Sequence, residues 1–469
     1  MELPIPIGLG DEHGSETDYR DQLPINYTLV ERKIKGAQGY LLSHPGLTTF
    51  GAGVGIDRGG IYNERQLDHL RVSGEALISV DTDGTTSTEG AIPGSDHVIL
   101  PYSFTTQGIL AGGRFWLFDG ASLTEVEDPD LGSPIDCVWI NGVYFFTDGE
   151  TLFHTLAASE SSIDGITFAT AEFSPDRTWG LLKNIQNQVV VLNRFSTEWF
   201  EDTGSSIAGA FRFERIRGKS TKVGIVGTNC KAELDGQIFI LGGRKEESPS
   251  IHILLNGREE TIASREIDKI LATYNESELR QAVLEARVEE RDKYLYVRLL
   301  RDTLLFDLSI AKKFGNERAW TRVKSSVTGD TPWRGRNGVF DPRATKWIYG
   351  DDVDGRLGFL DNTTNNQYGN QSENIFFTNI INIEESSINW LELDTIPGFA
   401  SGIVNIFISI SYNGVTFGTE VSITESEEFE YSRRFIARKL GYIDKLFSFK
   451  FRVVSPHQTA FSRLMIDHD

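Results

Sequence analysis

Short runs of alternating apolar and polar residues fill most of this chain, many of them bounded by Asp-Gly or Asn-Gly. Phe115-Trp-Leu-Phe118 stops at Asp119-Gly120, Val143–Thr147 stops at Asp148-Gly149, and Ile238–Leu241 follows Asp235-Gly236. Further pairs, among them Asn141-Gly142, Asn337-Gly338, Asp354-Gly355 and Asn413-Gly414, carry the same mark. A period of two predicts strands with one buried face. The pairs predict tight hairpins, because both central residues of a type I′ turn need positive φ. The runs cluster near residues 77, 116, 146, 191, 240, 297 and 348. The spacing of roughly 30–57 residues brackets the ~40–50 residues of a four-stranded propeller blade. The expectation is a mainly β chain with a β-propeller-like body of six or seven blades, without a WD40 or kelch signature. The rival architecture is a pair of β-sandwiches.

One stretch, 264–290, breaks the period. Ile267, Ile270, Leu271 and Tyr274 share a helical face. Asn275 and Glu278 read as a capping box opening a second helix, with Leu279, Val283 and Ala286 as its stripe. This predicts a helical insertion over the side or end of the body, or a docking element for a neighbour. The polar run Asp361–Ser372 predicts a boundary. Beyond it, 373–469 alternates strongly and predicts a C-terminal β-sandwich-like domain. Residues 1–48, with Pro4, Pro6, Pro24 and Pro45, read as an extended arm. The body then spans 49–372.

Composition narrows the function. The chain has 469 residues, 67 acids against 46 bases and a formal net charge of −21. Such a balance opposes gripping of nucleic-acid phosphates or of an anionic membrane surface. The start lacks the basic and apolar regions of a signal peptide, and no window is long enough to span a bilayer; Val404–Ile410, the best, reads as a strand. Two cysteines, Cys137 and Cys230, in apolar strand contexts predict buried, inert thiols. The eight histidines are scattered and form no metal-ligand spacing. No nucleotide, zinc-protease, serine-hydrolase or EF-hand signature is present. No cofactor, metal or catalytic residue is expected.

Two features remain. Asp351-Asp352-Val353-Asp354 gathers carboxylates that read as a Ca²⁺ site or as an acidic hairpin turn. Ser174–Trp179 and Ser411–Phe417 partly match the Asp-box turn of sialidase propellers, which makes a glycan-binding or glycosidase propeller for host recognition the alternative reading. Charge is also uneven. Glu425, Glu427, Glu428 and Glu430 precede a basic stretch that includes Arg433, Arg434, Arg438, Lys439 and Arg452. This is a hairpin with solvated charge or an electrostatic contact with a neighbouring subunit or partner.

The motifs Asp18-Tyr19, Leu23-Pro24-Ile25-Asn26, Gly39-Tyr40-Leu41 and Pro45-Gly46-Leu47-Thr48 resemble the opening of one phage family. So do Ile267–Leu271, Leu305-Phe306-Asp307, Gly358–Asp361, Phe376-Phe377-Thr378, Ser411–Gly418, Tyr431–Arg434, Arg438–Ile443 and Phe449–Val453. The family is the packaged-DNA stabilisation protein, the tail hub or nozzle, of short-tailed Salmonella-type phages. The resemblance covers both ends and the chain from about residue 260 onward. It implies a structural virion-tail protein rather than an enzyme, assembled in the bacterial cytoplasm. It further implies a hexamer ring below the portal and adaptor proteins, a needle or plug that retains packaged DNA, and tailspikes or fibres docked outside. DNA would pass through during genome ejection without specific binding. A stand-alone adhesive monomer is a third reading.

Overall fold

The alternating runs fold as antiparallel meanders. The computed structural model describes residues 2–6, 22–33, 37–163, 165–204, 211–255, 257–289, 291–383, 385–396, 404–425 and 435–469. Among them, seven successive sheets form a β-propeller. Blade one comprises Asp57–Asn63, Asp68–Ser73, Ala76–Val80 and Thr86–Ala91. Blade two has Gln107–Ala111, Arg114–Phe118 and Leu123–Glu125, with bridges from Ile99 and Tyr102 on its inner side. Blade three runs from Asp136–Ile140 to Ser159–Ile163, and blade four from Thr178–Lys183 to Phe213–Thr221. In blade five, Gly224–Ile225 and Lys231–Leu234 both pair with Gln237–Gly243. Blade six spans Val283–Glu289 to Trp320–Val323.

Blade seven is closed by the other end of the chain. Gly335–Asp341, Lys346–Asp351 and Arg356–Asp361 are completed by Gly46–Ala52, which pairs antiparallel with Arg356–Asp361. The ring is thus locked by a strand more than 300 residues away in sequence from its partner.

The turn chemistry behaves as expected at Asn141-Gly142 and Asp235-Gly236, where all four residues have positive φ. Asn337-Gly338 does not make the expected turn. It lies inside Gly335–Asp341 at a register shift, with Asn337 at φ 52°. A Cβ on Gly338 would sit 2.4 Å from the Tyr349 ring, so the pair makes a bulge beneath a buried aromatic. The capping box forms: Asn275 Oδ1 accepts from Glu278 N, and Glu278 Oε2 from Asn275 N. The helical insertion, however, is shorter than 264–290. Helices α1 (Arg265–Leu271) and α2 (Glu276–Leu279) connect blades five and six, and Val283–Glu289 is the first strand of blade six. Its full ladder with Asp292–Arg298 overrides the helical spacing of Leu279, Val283 and Ala286.

The C-terminal β-sandwich has two sheets. One is ordered Tyr27–Val30, Tyr40–Ser43, Ala460–His468, Ser386–Thr395, Phe435–Ile443, with Glu2–Pro6 also paired to Ala460–His468. The other is ordered Glu373–Phe377, Leu446–Val454, Asn405–Ser411, Val421–Glu425. Leu391, Ile406, Phe449, Phe451, Leu464 and Ile466 fill the space between them. The expected arm is therefore corrected in its described parts. Tyr27, Tyr40 and Leu41 are buried, so their strands join a sheet rather than reach into solvent.

Candidate assembly surfaces

Residues 22–33 and 37–46 lie between the propeller and the sandwich, and Asn26 is the pivot. Its φ of 55° suits asparagine, whose short side chain tolerates the left-handed region. Asn26 Nδ2 donates to Lys324 O (3.0 Å) and Glu373 O (2.9 Å), while Oδ1 accepts from Lys324 N (2.9 Å). On either side, Ile25 exchanges backbone hydrogen bonds with Ile375, and Arg322 N donates to Pro24 O. One asparagine thus joins the last strand of blade six to the first strand of the sandwich. Beneath it, the Lys324 ammonium is ion-paired with the Glu373 carboxylate, both nearly buried. Tyr27 packs edge-on to Phe376 at 5.4 Å, and its hydroxyl lies 2.9 Å from Thr459 Oγ1.

The remaining motif residues serve the same crossing. Leu23 packs against the shared core, Gly39, Tyr40 and Leu41 are buried at or in the second strand, and Pro45 O lies 2.9 Å from His44 Nδ1. Gly46 starts the strand that closes the ring. His44 itself sits between Tyr296 and Trp333, with Nε2 2.9 Å from the Tyr296 hydroxyl. Burial, reinforced by the Arg287 charge, pushes its pKa down to about 3.

The seam between blades one and seven is ionic. Arg71 Nε donates to Asp57 Oδ2 at 2.7 Å, Arg71 Nη2 donates to Asn337 O at 2.8 Å, and Asn337 Nδ2 donates to Asp57 Oδ1 at 2.7 Å. Arg71 Nη1 lies 3.1 Å from His69 Nε2, and His69 Nδ1 faces Asp341 Oδ2 at 3.4 Å. Arg343 completes the chain by donating to Asp341 and to Val80 O. Burial holds His69 at about 4, so its ring is neutral near pH 7.

A cavity of about 850 Å³ opens at the propeller axis, lined by residues of blades one to six. Inside it, the Asp136 carboxylate is paired with Lys231 and accepts from Leu181 N. At its rim, Arg65 stands 4.7 Å over Phe104, Phe104 meets Trp139 edge-on at 4.8 Å, and Lys183 stands 5.5 Å from Trp139.

The basic stretch of the sandwich is only partly described. Arg433 and Arg434 lie outside the described residues, as does the Lys439 side chain. Arg438 is exposed on Phe435–Ile443, which is the edge strand of its sheet. Arg452 is already engaged: it forks onto Glu420 at 2.5–3.0 Å and covers Phe407 at 4.4 Å. The structure does not bring Arg438 and Arg452 into contact with each other.

Among the described residues, no group of histidine, cysteine, aspartate and glutamate is arranged to hold a metal. Asp351 is forked by Arg334 and Asp354 by Arg356, which makes the acidic hairpin a set of internal ion pairs. Both cysteines are buried, and burial raises the Cys230 thiol to about 12. Among the described residues, no helix is long and apolar enough to cross a membrane. Local pattern missed the Asn26 pivot and the blade seam. Their signals were an Asn two residues after a proline, and isolated charges within otherwise apolar strands.

Comparison with known proteins places these parts in order. The family model described as bacteriophage P22 Gp10, β-propeller, matches residues 1–365, and that described as bacteriophage P22 Gp10, β-sandwich, matches 373–469. The tail hub protein gp10 of Salmonella phage P22 is 27% identical over 479 residues, covering 99% of each chain. Among solved structures, a streptogramin B lyase aligns with a TM-score of 0.42 at 12% identity, covering 67% of this chain and 97% of its own. The virginiamycin B lyase of Staphylococcus aureus aligns at 0.39 and 9%, covering 77% and 98%.

Proposed function

We propose that this chain, which belongs to the bacteriophage P22 Gp10 family and so has a structural tail-hub role in a phage virion, works as one subunit of a closed sixfold ring. The ring would sit below the portal and its adaptor, retain packaged DNA with a needle or plug, and carry tailspikes or fibres outside. The observation that carries this reading is the full-length match to a tail hub protein, 99% of each chain. The Asn26 crossing supports it physically. A ring closes only if two different faces of one subunit are held at a fixed angle. Backbone pairing at Ile25 and the Lys324–Glu373 pair fix the sandwich against blade six in that way.

The relative is a structural protein, and the function follows it rather than the lyases, which share no more than a partial fold likeness. A net charge of −21 suits a conduit wall that a DNA polyanion must pass without sticking. For the domain plan, we take 49–372 with the strand from 46 as the body, and 373–469 with the arm strands Glu2–Pro6, Tyr27–Val30 and Tyr40–Ser43 as the C-terminal domain. Arg433, Arg434, Arg438 and Lys439 remain the proposed subunit or partner contact. Arg452 serves its own sheet.

The test is mass measurement in solution with and without the upstream tail proteins. A sixfold species that forms on that platform supports the reading. A chain that stays monomeric there and turns over a fluorogenic glycoside overturns it. Charge reversal at Arg433 and Arg434 that leaves ring assembly and infectivity intact removes the proposed contact.

A further inference from the structure

The connections that follow the first strand of each blade gather on one face of the propeller. Side-chain contacts tie them blade to blade. Gln66 donates to Phe118 O, Phe104 packs on Trp139, Asn187 Nδ2 donates to Asn141, Asp235 pairs with Lys293, and Arg343 covers Tyr62. This face exposes large apolar residues, Leu67 at 63%, Phe104 at 61% and Ile185 at 65%. Such a set, rimmed by polar groups, marks an interaction surface rather than a solvated end.

The rim of the axial cavity on this face has its own chemistry. Arg65, Phe104, Trp139 and Lys183 alternate cation, ring, ring, cation across blades one to four. Neither cation has a carboxylate partner among the described residues, although the chain carries a large acid excess. Burial without a counter-charge holds Lys183 below the usual lysine range. Trp139 Nε1 is buried and has no acceptor. Deeper in, His97 lines the cavity and is pushed down to about 3 by burial and then by the charges of Arg336, Lys231, Arg298 and Arg58. Of the two lining carboxylates, Asp136 is taken by Lys231, and Glu64 at the rim partly offsets this field. Two unpaired cations and two aromatic faces together suit an occupant with several carboxylates and interleaved aromatic rings.

The chain itself carries such a segment. Residues 425–431 read Glu-Ser-Glu-Glu-Phe-Glu-Tyr, four carboxylates around two rings, between the two strands that edge the sandwich sheets. We propose that the Arg65–Phe104–Trp139–Lys183 mouth of one subunit docks the 425–431 segment of a second copy. This is a heterologous contact, mouth to segment, of the kind that closes a ring. It rests on the ring reading, and it names the faces that meet.

The test uses the full chain and a labelled synthetic peptide of residues 423–432, followed by fluorescence anisotropy. Saturable, salt-sensitive binding is expected, weakened at least tenfold in the R65E/K183E double variant. A peptide with Glu427, Glu428 and Glu430 changed to lysine should bind the double variant better than the native peptide does. Absence of saturable binding, or binding indifferent to R65E/K183E, overturns the proposal. Equal binding of a peptide of residues 9–21, which is also acidic, overturns the assignment of the occupant. Peptide binding needs no ring, so a chain that binds the peptide yet never assembles on the upstream proteins would fail the ring reading alone.

Discussion

The seam between blades one and seven and the joint between blades five, six and the sandwich do the same mechanical work with opposite chemistry. The seam is a chain of buried charges, Asp57, Arg71, His69, Asp341 and Arg343. The joint is in the main one continuous apolar core, in which Leu304, Phe306, Trp320, Phe376 and Phe451 are buried together, with Asn26 and the single Lys324–Glu373 ion pair as its polar pins. Apolar packing is tolerant of detail, because any volume-conserving arrangement buries similar area. A buried ionic network is intolerant, because a lost partner leaves a charge with no water to receive it. The difference teaches where register is specified. The seam joins strands from opposite ends of the chain, where a slip would cost the propeller its closure. The joint joins neighbours in space that many contacts already hold.

The sharpest way to break that comparison is Arg71→Met. Leaving Asp57 unpaired in the seam should cost about 3–5 kcal/mol, read by chemical denaturation. The double variant Arg71→Met/Asp57→Leu should recover much of it; a double variant as unstable as the single one would show that packing, not charge, governs the seam. Next, Asn26→Ala orphans the Lys324 N–H and two carbonyls and puts alanine at positive φ, so it should cost about 2–4 kcal/mol by the same measurement. In the apolar joint, Leu304→Met should cost less than about 1.5 kcal/mol. A cost equal to that of Arg71→Met would erase the contrast. Smallest of all, Arg452→Ala should cost below about 1 kcal/mol, because Glu420 and Arg452 are both partly exposed.

Acid probes both regions at once. His44 and His97 are held at about 3 and His69 at about 4, against 6.5 for a free histidine. Their contribution is intact above pH 6.5 and is lost progressively as pH falls toward 4, because the unfolded chain takes up protons that the folded one refuses. Asp307, raised to about 7 mainly by burial, works the other way: its protonated form favours the fold, and that gain fades as pH rises from about 4 through 7. The melting temperature should therefore fall between pH 6.5 and 4, and fall more steeply in Asp307→Asn. A flat profile would mean that the histidines are hydrated in solution.

Much of the architecture was legible because it is local. Hairpin pairs such as Asn141-Gly142 state their own dihedrals, and Asn275 with Glu278 states its own cap. Alternation around residues 297 and 348 predicted strands that formed. What failed was also physical. Leu279, Val283 and Ala286 fit a helix until a ladder with Asp292–Arg298 claimed them, and Asn337-Gly338 fits a turn unless Tyr349 lies across it. The family motif at Leu23–Gly46 was readable as a motif. Its work was not, since every partner of the Asn26 side chain lies about 300 residues or more away.

The strand Gly46–Ala52 leaves the ribosome early, but its partner Arg356–Asp361 and the sandwich strand Ala460–His468 that takes Tyr40–Ser43 are made more than 300 residues later. A chain cut before Arg356–Asp361 cannot close the ring of blades, and one cut before Ala460–His468 cannot complete the sandwich. The threading therefore acts as a length check on synthesis: an unfinished polypeptide keeps an open propeller or unpaired sandwich strand edges, and presents to a growing tail no finished surface on which to build.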